Sequence, residues 1–131
     1  MKAIDTNILI RFLTGDDEVQ SKKVYLLFKK AELEKKEFFV PLIVMLETIW
    51  VLESVYEVSR YDILDAIKDL LFMPILKFEH QSALRQLVCS EQENKYDLAD
   101  LLIAYSANNN GCETVLTFDK QASKFKLFEL I

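Results

Sequence analysis

Glycine, proline, histidine and cysteine are all scarce in this chain of 131 residues, of which 51% are hydrophobic. Two glycines and two prolines leave little material for long loops, so we expect a compact, regular and helix-rich fold. A chain of this length buries roughly two-thirds of the surface that it exposes when unfolded, which is enough for a genuine core. We therefore expect a single domain over residues 1–131.

The scarce residue types also exclude several kinds of chemistry. Cys89 and Cys112 provide neither a disulfide framework nor a CxxC metal pair, and we interpret them as free, buried thiols in a reducing compartment. The one histidine, His80, lies in an amphipathic stretch and is predicted to be a surface or capping residue. Cys–His and Ser–His catalysis therefore have no support. Neither GxxxxGK[ST] nor GxGxxG occurs, which excludes a glycine-rich phosphate loop.

The amino-terminal stretch MKAIDTNILIRFL is apolar enough to be mistaken for a signal peptide. Asp5 and Arg11 interrupt it, no small-residue cleavage site follows, and no run reaches the roughly 20 apolar residues of a membrane span. We expect a cytoplasmic protein without a membrane anchor. Its net charge of −5 argues against nucleic-acid binding unless some of the acids hold metal ions that reverse the local charge.

Short apolar runs alternate with helical patterns along the chain. Strands are predicted at residues 1–5, 37–41, 75–78 and 113–119, and helices at 6–15, 19–36, 42–57, 60–73, 80–93 and 97–111, with a short helix and a tail over 120–131. Strands that alternate with helices predict an α/β fold in which a central parallel sheet, of about four to five short strands, is flanked by helices.

Acidic residues stand where apolar segments end. Asp5 and Asp119 each close a predicted strand, and ligands of open α/β sheets bind at the carboxyl edge of the strands. An aspartate at such a position is equally well explained as a turn or a helix cap. Both interpretations stay open for each residue taken singly.

Glu47 lies inside a helix that is apolar on nearly every side, so we expect the helix to be buried or covered by a partner. Ile43, Glu47 and Trp50 share one stripe of this helix. A carboxylate in apolar surroundings needs a reason, because an unpaired buried charge is expensive. Trp50 could stack on a base, but packing in the core is the more common role for a tryptophan in such a helix.

Asp97 and Asp100 lie three residues apart at the start of an apolar run. Acids at the start of a helix commonly satisfy free backbone N–H groups, and Asp97 suits that capping role. Residues three apart also share one face, so the pair could present two carboxylates to a cation. Clustered acids repel each other unless they share a proton or bind a cation, and oxygen ligands select Mg²⁺ or Mn²⁺.

The segments IDTNILI, LETIWVL and DLADLLIAYSANNNGCETVLTFD together resemble the PIN-domain family, in particular the VapC-type toxins of bacterial toxin–antitoxin pairs. The resemblance covers nearly the whole chain. It implies that the acids gather at one edge of a parallel sheet as metal ligands and catalytic residues, namely Asp5, Glu47, Asp100 and Asp119. Asp97 matches a further acid of accessory role.

The resemblance also assigns supporting roles. Thr6, Asn7 and Thr117 match small polar residues that orient the acids. Basic residues near the acids are candidates for contacts with the RNA backbone, although solvated surface is the ordinary role of such lysines: Arg11, Lys120, Lys124 and Lys126.

The family likeness implies an endoribonuclease that depends on Mg²⁺ or Mn²⁺, acts as the toxin of a toxin–antitoxin pair, forms a homodimer and binds a cognate antitoxin. Two alternatives stay open. The first is a catalytically silent PIN-like scaffold that binds only protein. The second is a Mg²⁺-dependent phosphoryl-acceptor domain, which the presence of Asn7 in place of a second aspartate disfavours.

Overall fold

The computed structural model describes residues 1–90 and 95–131, and the chain consists of two compact units, Met1–Glu79 and His80–Ile131. Every pair of neighbouring strands in the described residues is parallel, and helices separate most of the strands along the chain. The predicted α/β class is therefore confirmed. No helix among the described residues is both long and apolar enough to cross a membrane.

The first unit contains a parallel sheet of three short strands and four helices. In chain order its elements are β1 (Lys2–Ala3), α1 (Thr6–Thr14), α2 (Glu18–Glu34), β2 (Phe38–Val40), α3 (Leu42–Ser54), α4 (Arg60–Leu71) and β3 (Leu76–Phe78). The strand order is β1-β2-β3, with Lys2 opposite Phe38 and Phe38 opposite Leu76. Because the strands are parallel, their carboxyl ends share one edge, where α1 and α3 begin.

Local signals set the helix ends in this unit, as the sequence predicts. Asp5 Oδ1 accepts a hydrogen bond from Ile8 N–H at the start of α1, and Gly15 ends that helix in the left-handed conformation (φ 64°). The hydroxyl of Ser59 caps α4 in the same way.

The core of the first unit forms where α1 packs against α2 and α3, and where α3 packs against α4. Its least exposed large side chains are Leu9, Val40, Met45, Ile49, Ile63, Ile67 and Leu70. Two leucines of α2 are exposed, since Leu27 is 40% and Leu33 78% accessible. Both lie outside the stripe of buried residues on this helix, which consists of Val24, Phe28 and Ala31.

Helix α3 has one buried face and one open face, so it is not buried on all sides within the unit, and its cover by a partner stays a prediction. Val44, Met45 and Ile49 are buried, whereas Ile43 is 73% and Trp50 61% exposed. The prediction that Trp50 packs in the core is therefore wrong. Only the face of α3 that contacts α1 and α4 is covered, and hydropathy alone does not show how wide that face is.

The second unit contains α5 (Gln81–Val88), α6 (Leu98–Asn109), β4 (Val115–Thr117), a short 3₁₀ helix (Ala122–Lys124) and β5 (Phe128–Leu130). The predicted tail is thus a strand, which pairs in parallel with β4 and places Val115 opposite Phe128. The end of the helix predicted over 80–93, residues 91–93, lies outside the described residues.

The core of the second unit forms between α5 and α6 and extends to β4. The rings of Tyr96 and Tyr105 contact that of Phe125, with centroids 5.1 and 6.0 Å apart. Cys89 and Cys112 are free but exposed, which corrects the prediction of buried thiols. Each lies just beyond the end of a helix, where the chain has left the packed face.

Candidate metal centre

Asp5 lies at the carboxyl edge of the three-stranded sheet, two residues after β1. Its Oδ1 caps α1 through the N–H of Ile8 at 3.3 Å, so the capping interpretation holds. That bond uses one carboxylate oxygen and one of its lone pairs, which leaves the side chain exposed to solvent with capacity to bind a cation. Capping and metal binding are therefore compatible at this residue.

Glu47 reaches the same edge from α3, the helix that follows β2. The buried hydroxyl of Thr6, at the start of α1, donates a hydrogen bond to Glu47 Oε1. The predicted relation between Thr6 and an acid is thus present in the geometry. The Glu47 side chain is exposed, which corrects the expectation of apolar surroundings, because it lies on the open face of α3.

Glu79 is a supporting residue that the sequence analysis missed. Its Oε1 accepts a hydrogen bond at 2.8 Å from the N–H of Leu42, the first residue of α3, where Pro41 provides no side-chain cap. Glu79 thereby fixes the amino end of the helix that carries Glu47. Its signal was present, since Glu79 directly follows the run ILKF just as Asp5 and Asp119 follow theirs.

Asp97 and Asp100 begin α6 in the second unit. Asp97 occupies the capping position, but its side chain forms no capping hydrogen bond within the described residues, so the preferred capping role is only half right. Burial raises the pKa of the Asp100 carboxyl, and the negative charges of Asp97 and Asp119 raise it further. The charge of Asp119 therefore acts on the Asp100 carboxyl, although many residues separate the two in sequence.

Asp119 lies in a tight turn after β4. Its Oδ1 accepts hydrogen bonds from the N–H groups of Gln121 and Ala122 at 2.8 and 3.1 Å, and its own N–H donates to Thr117 Oγ1 at 3.0 Å. Thr117 thus supports the backbone of this acid, whereas Thr6 contacts the carboxylate of Glu47 itself. As with Asp5, the turn interpretation is correct and leaves the carboxylate solvent-exposed.

The residues predicted to contact RNA differ in whether their side chains already have partners. The guanidinium of Arg11 forms an ion pair with Asp16 at 3.1 Å and a hydrogen bond with Gln20 at 2.7 Å, which gives it a structural role. The side chains of Asn7 and of the lysines beyond Asp119 are exposed: Lys120, Lys124 and Lys126. Nothing in the geometry tests their contact with RNA, which stays a prediction.

Within residues 1–90 and 95–131, none of the four principal acids forms an ion pair. Among the described residues, these carboxylates therefore have no lysine or arginine partner that neutralises their charge. They offer only oxygen atoms as ligands, which suits a hard divalent cation such as Mg²⁺ or Mn²⁺. In the same described residues, no three metal-ligating side chains of His, Cys, Asp or Glu form a group that could already hold an ion. The ligand set therefore stays a prediction.

Comparison with known proteins matches residues 2–127 to the model of the PIN domain. The chain belongs to the PIN domain family. This PIN domain is also similar to a VapC ribonuclease of Aquifex aeolicus (strain VF5), with 25% identity over 124 residues that cover 95% of this chain and 91% of the relative. Both findings confirm the resemblance identified in the sequence.

Proposed function

We propose that this PIN domain is an endoribonuclease that requires Mg²⁺ or Mn²⁺, and that residues 1–131 act as one domain. The observation that carries the proposal is the arrangement of acids around Asp100, where burial raises the pKa of its carboxyl and the charges of Asp97 and Asp119 raise it further. Family membership and the similarity to a VapC ribonuclease support an RNA phosphodiester as the substrate.

Asp5, Glu47 and Asp100 are the proposed metal ligands, and Asp119 binds a second ion or the attacking water. A divalent ion held by these carboxylates supplies Lewis-acid activation of water and neutralises charge that develops on the phosphate. Once a cation is bound, the acidic site attracts phosphate, which reconciles a net charge of −5 with an RNA substrate.

The chain's own side chains orient these groups. The Thr6 hydroxyl donates to Glu47 Oε1, which fixes one carboxylate oxygen and leaves the other available to a cation. The Thr117 hydroxyl and the turn N–H groups of Gln121 and Ala122 fix Asp119. Such supporting bonds reduce the reorganisation needed when substrate binds. Lys120 and Lys124 are proposed to contact the RNA backbone.

We further propose a cytoplasmic toxin that forms a homodimer and is inhibited by a cognate antitoxin. Exposed apolar side chains, among them Phe72 at 77% and Leu33 at 78%, support surfaces that another chain covers. Expression with and without the neighbouring open reading frame tests this point. Growth arrest by the wild type alone, absent with Asp5→Ala, is the expected result.

The enzymatic proposal is tested by incubating the purified protein with single-stranded RNA and Mn²⁺. Cleavage should stop with a chelator and with Asp5→Ala. Cleavage that survives both would indicate a contaminant and contradict the proposal. Protein binding that survives Asp100→Asn, with no cleavage by the wild type under any condition, would favour a silent scaffold. Labelling of Asp5 by a small phosphodonor would instead indicate a phosphoryl acceptor.

A further inference from the structure

An exposed tryptophan lies beside a candidate ligand on α3. Trp50 follows Glu47 by three residues and is 61% exposed. Residues three apart share one face of a helix and lie about 4.5 Å apart along its axis. The Glu47 carboxylate and the Trp50 indole therefore open to the same solvent. A nucleotide whose phosphate lies at Glu47 has its own or a neighbouring base within reach of the indole.

The second unit repeats this relation with a different aromatic residue. Phe118 directly precedes Asp119 and is 81% exposed, in the turn that Thr117 and Asp119 stabilise. Single exposed apolar side chains are ordinary on protein surfaces. An exposed aromatic beside a candidate acid in each unit is a more specific arrangement. Among the described residues, neither Trp50 nor Phe118 stacks on another aromatic ring.

A protein partner on this face of α3 is the competing explanation. Glu47 lies between Ile43 and Trp50, so a partner that covered both apolar residues would also cover the carboxylate. The described partner of Glu47 is the neutral Thr6 hydroxyl, which does not compensate a desolvated charge. A stacked base avoids this cost, because it covers the indole alone and leaves the Glu47 carboxylate open to solvent and to a cation.

We propose that Trp50 stacks on an unpaired base of the substrate RNA, and that Phe118 in the second unit stacks on a base in the same way. This inference rests on the proposed function. Every base offers a π-face, but only an unpaired base can be splayed out onto an aromatic side chain, because the bases of a duplex are stacked on each other. The aromatic residues then contribute to substrate binding, while the acids carry the chemistry.

The test combines protein variants with RNA that lacks single bases. Cleavage of one single-stranded RNA is compared with cleavage of the same RNA carrying an abasic nucleotide at each position near the cut. On intact RNA, Trp50→Leu should lower kcat/KM about 5- to 100-fold, mainly through KM, and Trp50→Phe should retain most of the activity. On the RNA that lacks the stacked base, the loss caused by Trp50→Leu should largely disappear.

Fluorescence and a matched variant provide the controls. Trp50 is the only tryptophan in the chain, so its emission reports this position directly and should be quenched by intact RNA. Tyr61→Leu removes an aromatic residue of α4 that is 73% exposed and lies next to none of the candidate ligands. It should leave kcat/KM unchanged. Phe118→Leu should show its own dependence on one abasic position.

Four outcomes would overturn the inference. An equal loss by Trp50→Leu on every abasic RNA would mean that no base stacks on the indole. A loss that follows a change in oligomeric state, measured by light scattering, would assign this face to a protein interface. Wild-type protein that cleaves no RNA would refute the proposed function as well, whereas normal cleavage by Trp50→Leu would refute the stacking alone.

Discussion

The two units support their candidate ligands by different means. In the first unit, hydrogen bonds hold the acids: Ile8 N–H binds Asp5, and the Thr6 hydroxyl binds Glu47. In the second unit, hydrogen bonds also hold Asp119, but Asp100 differs, because burial raises its pKa and the charges of Asp97 and Asp119 raise it further. Hydrogen bonds hold an acid in place before a cation binds. Neighbouring carboxylates repel each other, and a bound cation would relieve that repulsion. We therefore expect Asp5 and Glu47 to depend on their hydrogen bonds and Asp100 to depend on the charges around it.

The largest predicted effect is the loss of cleavage when either kind of acid becomes an amide. Glu47→Gln and Asp100→Asn should each lower kcat/KM at least about 100-fold, because each removes a ligand charge from a metal-dependent reaction. Matched changes at exposed acids elsewhere, Asp65→Asn and Glu113→Gln, should leave kcat/KM within about twofold. Steady-state cleavage of one RNA measures all four. Full activity of either ligand variant would remove that residue from the proposed ligand set.

A second prediction compares the two supporting hydroxyl groups. Thr6→Val should lower kcat about 10-fold because its hydroxyl contacts the Glu47 carboxylate itself, and Thr6→Ser should restore most of the rate. Thr117→Val should cost only a few-fold, because its hydroxyl contacts the Asp119 backbone. Single-turnover rates with saturating RNA measure the effects on chemistry. A larger effect at Thr117 would reverse the ranking of the two supports.

Local chemistry explains which parts of the fold the sequence predicts well. Residues that cap helices or close strands act on their immediate neighbours, as Gly15 and Ser59 do. The beginnings and ends of helices can therefore be predicted from single residues. Strand β5 was missed because its identity depends on pairing with β4, more than ten residues earlier, and its residues suit a helix or a tail equally well. Pairing across such a distance leaves no local pattern.

The candidate site shows the same division. Asp5 and Asp119 are predictable because each follows an apolar strand, and their capping bonds arise from the same local geometry. The exposure of Glu47 and Trp50 was not predictable, because an apolar helix does not reveal how much of its surface neighbouring helices cover. Periodicity gives the face that a residue shares, and packing decides whether that face is buried.

The third prediction concerns the free energy of unfolding in the absence of metal, which variants in the two units should change in opposite directions. Asp100→Asn should raise the free energy of unfolding by up to about 1 kcal/mol, because it removes the cost of burying a charge and then the repulsion with Asp97 and Asp119. Glu47→Gln should leave it unchanged or lower it, since it weakens a charge-assisted bond from Thr6. Urea unfolding in a chelator at pH 7 measures both. Destabilisation by Asp100→Asn would contradict the crowding.

The smallest predicted effect is on stability and concerns Asp16, another acid of the first unit that accepts hydrogen bonds. Hydrogen bonds from Tyr56 and Thr14, and then the charge of Arg11, lower the pKa of the Asp16 carboxyl from its usual 3.8. A lowered pKa in the folded state stabilises the protein above that usual value, and the contribution is lost as pH falls through the lowered pKa. Tyr56→Phe should therefore reduce the urea midpoint at pH 7 and reduce it less at pH 3. Equal reductions would contradict this linkage.

The proposed function requires that Glu47 and Asp100 each contribute to the binding of a divalent ion. Calorimetric titration with Mn²⁺ in the absence of RNA tests it most directly, on the wild type, Glu47→Gln, Asp100→Asn and the control Asp65→Asn. We predict that both ligand variants weaken Mn²⁺ binding at least about 10-fold, whereas the control binds like the wild type. Wild-type affinity in either Glu47→Gln or Asp100→Asn would contradict the account.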